Sequence, residues 1–552
     1  LFDFSHEKWR EGIVTLISES RMDRATLEQA ARRVLRVKMM LGLFERPYGD
    51  EEREKAVLKC PDHLALAEQI ADESLVLLKN QGELLPLSKT LSTIALLGPC
   101  ADAYMLGDYI ADGSTGVTLL EGVRAAVSED TVILHEPGCG FLGDRAIPFR
   151  PEMLMDEEGT PGLTGRYYNS RIPEGEPVLV RNDPRIDFNW IFGKPDPRVT
   201  SGPFSAVWTG TLRMDESFDG CIGFSTQDSM RLYVDGELIL DGWGEYKSAN
   251  RMVDFRFEAG RSYNLRIEFT NDQRAARVIF GYARGWEDLT PAVEAAKKAD
   301  VAILCVGDSQ QTSGENFDRV DLSLPGRQLE LVKRVYETGT PVVLLLYSGR
   351  AVTCTWEQEH IPAILQCWFP GERGGISVAK ALFGDINPSG RLPVSFPRHV
   401  GQIPCHYSRR PGGGRRYVEM NWLPLYPFGY GLSYTSFEYR GLTLDRETIA
   451  PGETVTASVT VANTGSRPGT AVPQLYIRDC FSSTVKPERQ LCGFARVDLL
   501  PGEEKTVRIP IGPKSMRTLG RDYIWRVEPG RFRVYLNENA AESWQECCFT
   551  VK

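Results

Sequence analysis

The residues best suited to chemistry in this chain lie in one short stretch, Thr312-Ser-Gly-Glu-Asn-Phe-Asp-Arg319, after the apolar run Val301-Ala-Ile-Leu-Cys-Val-Gly307. A run of β-branched and aliphatic residues that ends in glycine predicts a buried parallel strand. Ligands of open α/β sheets collect beyond the carboxyl ends of such strands. The loop that follows carries Asp308, Glu315, Asp318 and Arg319 and is therefore a natural seat for acid–base chemistry. The adjacent pair Asp318 and Arg319 is expected to form a charge-assisted link that fixes the loop. Glu315 is then the carboxyl free to give and take a proton, with Asp308 as a substrate-binding group beside it. Clustered loop carboxylates are also common as solvated or structural groups, so the stretch by itself does not decide between the two.

Other chemistries find no footing. His6, His63, His135, His360, His399 and His406 show no H-E-x-x-H and no pairing at ligand spacing. A serine hydrolase of the nucleophile-elbow type wants G-x-S-x-G, which is absent. Gly98-Pro99 has neither a P-loop nor a G-x-G-x-x-G around it and is read as a strand-end turn. The twelve cysteines include no C-x-x-C, and the close pair Cys547-Cys548 has no metal spacing, so they are read as small buried hydrophobes. No cofactor and no metal site is expected.

The 552 residues suggest roughly three to four domains. A net charge of −10 with no basic stripe argues against nucleic acid as a partner. The one basic cluster, Arg409-Arg-Pro-Gly-Gly-Gly-Arg-Arg416, is read as a local loop feature. No apolar run of about eighteen residues exists, so no membrane span is expected. Asn387, the one asparagine with Ser or Thr two places on, is followed by Pro388 and is disqualified as a glycan acceptor. Together with the cysteine reading this leans towards a cytoplasmic protein, with secretion left open. The chain begins at Leu1 rather than Met, so its amino end is read as a fragment, a processed end or a trimmed end.

The elements that must position the loop follow from periodicity. Asp23 or Thr26 is expected to cap a helix in which Leu27, Ala30, Ala31, Val34, Leu35 and Leu41 recur at helical spacing. That helix needs a partner for its apolar stripe. Strand patterns at Ser74–Asn80, Thr93–Pro99, Val301–Gly307, Pro341–Tyr347 and Ala363–Trp368 alternate with helical ones and argue for βαβ units. Between them, residues 159–285 switch to short, aromatic, alternating segments. Asp235-Gly236 there, between Leu232-Tyr-Val and Leu238-Ile-Leu, predicts a tight hairpin. Trp190, Phe192, Trp243 and Tyr246 sit near Gly and Pro; most are expected in the core, with Trp190, Phe192 and Trp243 named as candidate sugar-stacking residues. Residues 436–552 alternate again with regular turns and imply an immunoglobulin-like sandwich.

Glu315-Asn-Phe-Asp-Arg319 with Leu322-Ser-Leu-Pro-Gly-Arg-Gln-Leu-Glu330 resembles the acid/base segment of glycoside hydrolase family 3 β-glucosidases, E-G-x-D-R…L-x-L-P-G-x-Q-x-E-L. Asn316 replaces the usual Gly after the glutamate. Ser74-Leu-Val-Leu-Leu-Lys-Asn80, Pro370-Gly-Glu-Arg-Gly-Gly375, Gly384–Pro393 and Leu425–Tyr434 resemble further segments of that family, although Arg373 stands where an uncharged residue is more usual. The resemblance implies a multidomain α/β plus all-β architecture. Residues 1–60 would be the closing helix and linker of a (β/α)8 barrel, and 61–158 with 286–435 an α/β sandwich domain. Residues 159–285 would be a PA14-like insert and 436–552 a fibronectin type III-like domain. Some PA14 members bind calcium through paired aspartates; the matching position here is Gln227-Asp228, so no calcium is expected.

The resemblance also implies the reaction. Retaining glycosidases use two carboxyl groups about 5–5.5 Å apart. In the family, the loop that Glu315 matches supplies the acid/base, and an Asp in a barrel S-D-W motif supplies the nucleophile. No S-D-W occurs in this sequence, and most of a barrel of about 250 residues is expected to be missing from it. Three readings follow: a β-glucosidase completed by a separate barrel chain or a longer precursor, a carbohydrate binder without turnover, and a repurposed acid/base enzyme using Glu315. The expected partners are a β-glucoside or oligosaccharide and a barrel chain, with a homo-oligomer left open.

Overall fold

The computed structural model describes residues 6–107, 109–110, 114–141, 146–190, 194–200, 203–226, 228–244, 249–271, 276–284, 288–309, 312–315, 317–413, 416–541 and 545–552. The chain divides into two units, 1–66 and 67–552. In the first, the helix Arg24–Met40 starts where the Asp23 carboxylate accepts the Ala25 N–H, so of the two expected caps it is Asp23 that acts. None of its residues is buried, and Leu27, Val34 and Leu35 of the expected apolar stripe are exposed.

The second unit is built on a six-stranded sheet. Its strands in chain order are β1 (Val76–Asn80), β2 (Thr93–Leu97), β3 (Val132–Glu136), β4 (Val301–Gly307), β5 (Val342–Tyr347) and β6 (Ala363–Gln366). They lie side by side in the order β1-β6-β5-β4-β2-β3. Only β1 is antiparallel to its neighbour. Every residue of β4 and β5 is buried, as expected of strands covered on both faces.

The period of two sorts their side chains into two layers. Ala302, Leu304 and Val306 face a layer made with Ala292, Ala296, Leu331 and Val335 of the helices Thr290–Lys297 and Gln328–Tyr336. Val301, Ile303 and Cys305 face Leu120, Val123, Val378 and Leu382 of the helices Leu119–Ala126 and Gly374–Leu382. Each of the valine, leucine and isoleucine side chains among them contributes about 1.5–3 kcal/mol by leaving water. The helix Leu119–Ala126 begins at a capping box, with the Thr118 side chain on the Glu121 N–H and the Glu121 side chain on the Thr118 N–H. Arg373 has a local reason: its guanidinium donates to Glu68 at 2.9 Å, and Lys380 reaches the same carboxylate at 3.1 Å. Burial acts upward on Glu68, but these two cations outweigh it and hold the carboxyl below its ordinary range.

The strands from Ile147–Pro148 to Arg277–Arg284 form one seven-stranded and one five-stranded sheet around a single core. This β module therefore begins earlier than residue 159. The pairs Gly281↔Pro148 and Leu154↔Leu212 place 147–155 inside it, in two-residue strands too short to show a period. The expected hairpin forms: Val234 pairs with Glu237, and Asp235 and Gly236 take φ of 50° and 84°, the two left-handed positions of a type I′ turn. The last domain packs a three-stranded and a five-stranded sheet, running from Phe437–Leu444 to Gln545–Val551, around its own core.

Candidate active site

β4 ends in a turn that only glycine allows. Gly307 has φ +143°, and a Cβ there would lie 1.8 Å from the Tyr347 carbonyl oxygen. The next residue, Asp308, donates its N–H to that same carbonyl at 2.7 Å. β2 and β4 flank the point where the chain reverses its order across the sheet, since β3 follows β2 on one side and β5 follows β4 on the other. Loops leaving such a point diverge and open a crevice above the strand ends.

Glu315 is exposed on the loop from β4, and its carboxylate accepts a hydrogen bond from the Tyr109 hydroxyl on the loop from β2. Tyr109 is itself 78 % exposed. The base of the loop, by contrast, is tightly held. Asp308 is 2 % exposed and accepts the Thr312 hydroxyl at 2.9 Å. It pairs with Arg319 at 3.0 Å and with Arg350 at 3.5 Å. Thr312 Oγ1 in turn accepts the Ser309 N–H at 3.0 Å, and Ser313 donates its N–H to the Ser309 carbonyl at 3.0 Å.

These contacts redistribute the expected roles. Arg319 does fix the loop, but its partner is Asp308 and the Ser323 carbonyl, not the neighbouring Asp318. Asp318 is exposed, while Arg319 is turned inward to the buried Asp308. Asp308 was expected to meet substrate; its carboxylate is instead occupied by the chain's own groups. Trp190 is not presented to a sugar but buried: it stacks on Phe188 at 4.6 Å and meets Tyr167, Phe204 and Phe269 edge-on. Trp243 is half-buried with the Arg231 guanidinium 5.0 Å from its ring centre. Phe192, Tyr246, Gln227, Asn316 and Arg415 lie outside the described residues.

Three residues of this site escaped the sequence reading: Tyr109, Gln328 and Arg350. Gln328 is the glutamine of Leu-Pro-Gly-Arg-Gln, and its buried side chain holds Gly307. Arg350 lies three residues past the end of β5, where the rule that sites collect beyond carboxyl ends of strands would have drawn attention to it.

The thiols and the phenol buried near the loop are poor nucleophiles. Burial, first of all, pushes the thiols of Cys100 and Cys305 and the phenol of Tyr347 far up, so they stay protonated at neutral pH. All twelve cysteines are free thiols. Among the described residues no group of three or more His, Cys, Asp or Glu could hold a metal ion, and no helix is long and apolar enough to cross a membrane. Asp228, at the position considered for calcium, is buried and accepts the Asn271 amide at 3.0 Å. The arrangement presents the Glu315 carboxyl to solvent, touched by a phenol and carried on a tightly held base, which suits proton transfer to a ligand lying above the strand ends.

Residues 75–434 match the glycosyl hydrolase family 3 C-terminal domain, and 471–540 match the fibronectin type III-like domain. The chain is 32% identical over 547 residues to a periplasmic β-glucosidase of Salmonella typhimurium, covering 95% of this chain and 56% of that protein. It is 33% identical over 568 residues to a β-glucosidase of Rhizobium radiobacter, covering 95% and 66%. The crystal structure of a Kluyveromyces marxianus β-glucosidase in complex with glucose superposes with a TM-score of 0.72 at 26% identity, over 90% of this chain and 63% of that one. The chain thus spans between about half and two thirds of the length of these relatives.

Proposed function

The chain belongs to glycosyl hydrolase family 3, and on that premise we propose that it supplies the acid/base carboxyl, Glu315, of a retaining β-glucosidase-type hydrolase. The observation that carries this reading is the position of Glu315: an exposed carboxyl on the loop beyond the carboxyl end of β4, at the switch point of the sheet. As an acid it would protonate the departing glycosidic oxygen; as a base it would then take a proton from the water that releases the sugar. The second carboxyl, the nucleophile, would come from a (β/α)8 barrel domain or chain carrying the S-D-W motif that this sequence lacks. The exposed apolar side chains of Arg24–Met40 support a partner of that kind, since a helix stripe of this sort is normally covered. The β module around 147–284 would be a PA14-like insert flanking the substrate cleft, with the fibronectin-like domain packing behind. The substrate would be a β-glucoside, as the names of the relatives indicate.

The test is hydrolysis of an aryl β-glucoside by the 552-residue chain, alone and supplied with a family 3 barrel, beside Glu315→Gln. Turnover is expected only with the barrel present, and the variant should lose about 10²–10⁴-fold, the usual contribution of a general acid or base. Equal turnover by wild type and variant would sink the assignment of Glu315. Binding of the glucoside with no turnover in the supplied system would point instead to a carbohydrate-binding protein.

A further inference from the structure

We propose that Arg350 is a positioning residue that sets the place of Glu315 above the sheet; the inference rests on the reading of Glu315 as acid/base. One terminal nitrogen of Arg350, Nη2, donates to the Thr312 carbonyl at 2.7 Å and to the Phe317 carbonyl at 3.2 Å. These two carbonyls bracket the segment that carries Glu315. The guanidinium therefore pins both feet of the loop to one point.

That point is itself fixed. Arg350 Nε lies 3.5 Å from Asp308 Oδ2, and Asp308 also holds Thr312 and Arg319. Arg350 is only three residues beyond the end of β5, and its carbonyl accepts the Ser348 hydroxyl at 2.7 Å. The clamp thus ties the loop from β4 to the end of the adjacent strand β5. Gly349 is part of the fit, because a Cβ there would meet Ser313 Oγ at 3.0 Å and the Phe369 ring at 3.2 Å. Lysine could not replace Arg350: an ammonium lacks the planar fork that serves a carboxylate with one nitrogen and two carbonyls with another. A proton donor must sit within hydrogen-bond reach of the atom it serves, so a displacement of about 1 Å costs on the order of 10²-fold in rate.

Two measurements test this, on Arg350→Ala, Arg350→Lys and Glu315→Gln. In amide hydrogen exchange on the 552-residue chain, both Arg350 variants should exchange over 312–317 at least about tenfold faster than wild type, while β4 and β5 stay protected. Unchanged exchange in Arg350→Ala would overturn the proposal. In hydrolysis with the barrel supplied, Arg350→Ala should lose about 10²-fold in kcat/KM on phenyl β-glucoside and far less on 2,4-dinitrophenyl β-glucoside, since kcat/KM reports the steps up to departure of the leaving group and dinitrophenolate needs no proton. An equal loss of kcat/KM on both glucosides would also overturn it. Glu315→Gln calibrates the comparison: if it shows no dependence on leaving group, the acid/base reading has failed, and the exchange result then decides the clamp by itself.

Discussion

Gln328 takes the place of a missing strand at Gly307. The Gly307 N–H donates to Gln328 Oε1 at 2.6 Å, and Gln328 Nε2 donates back to the Gly307 carbonyl at 3.0 Å. β2 stops pairing with β4 at Leu97, opposite Leu304, so the backbone beyond it has no strand partner on that side. A buried primary amide offers one acceptor and one donor in the spacing of a peptide group, and here it completes the ladder. The residue that ends β4 and starts the Glu315 loop is thereby fixed from the helix Gln328–Tyr336.

Replacing Gln328 by Ala should leave both groups of Gly307 buried and unpaired, at about 1–3 kcal/mol each. Gln328→Glu keeps the acceptor for the N–H but has no donor for the carbonyl when ionised, and it buries a charge, so no rescue is expected. Calorimetric melting of the two variants against wild type checks this. A loss below about 0.5 kcal/mol for the alanine variant would show that water or backbone movement satisfies Gly307 instead.

Glu357 makes a prediction about pH. It is buried on the helix Thr355–His360, and that burial pushes its carboxyl up, against weaker opposition from its own backbone N–H and the Lys333 ammonium. Unfolding releases the carboxyl to its ordinary, lower pKa. The folded state therefore binds the proton more tightly, and its stability falls as pH rises from the unfolded value to the raised folded one. Glu357→Gln removes this loss. Its melting temperature should exceed that of wild type at pH 7, with the difference shrinking as pH falls towards 4. A difference independent of pH would mean that the glutamate is not titrating differently in the folded state.

A third prediction concerns the β module. Asp183, 2 % exposed, accepts the Tyr167 hydroxyl at 2.6 Å and the Trp208 indole N–H at 2.8 Å on one oxygen. Its other oxygen takes Arg181 Nε at 2.6 Å. Asp183→Ala strips three donors of their partner, including a cation, and should destabilise the module by about 3–5 kcal/mol. Denaturant unfolding followed by tryptophan fluorescence, which Trp208 and Trp190 report from that core, measures it. The Glu315 loop is built on other elements, so its hydrogen exchange should be unchanged in this variant.

How much could be read from the chain itself depended on the range of the physics. The strand Val301–Gly307 was legible because six apolar residues closed by glycine have few other uses in a domain this size. The hairpin at Asp235-Gly236 was legible because two consecutive left-handed positions admit few residues. The placing of Glu315 beyond a strand end followed from those local patterns and one topological rule. The start of the β module at Ile147 was not legible, since a two-residue strand carries no period.

The partners were decided only by the tertiary structure. Arg319 had an aspartate beside it in sequence, and the fold gave it the buried Asp308, eleven residues back. Arg350 reaches Thr312 across 38 positions of sequence because β5 happens to lie next to β4. Periodicity and turn chemistry are set by neighbours along the chain, so the sequence alone determined the elements and the loop that carries Glu315. Which buried charges meet is set by strand order and packing, and those exist only once the sheet has formed.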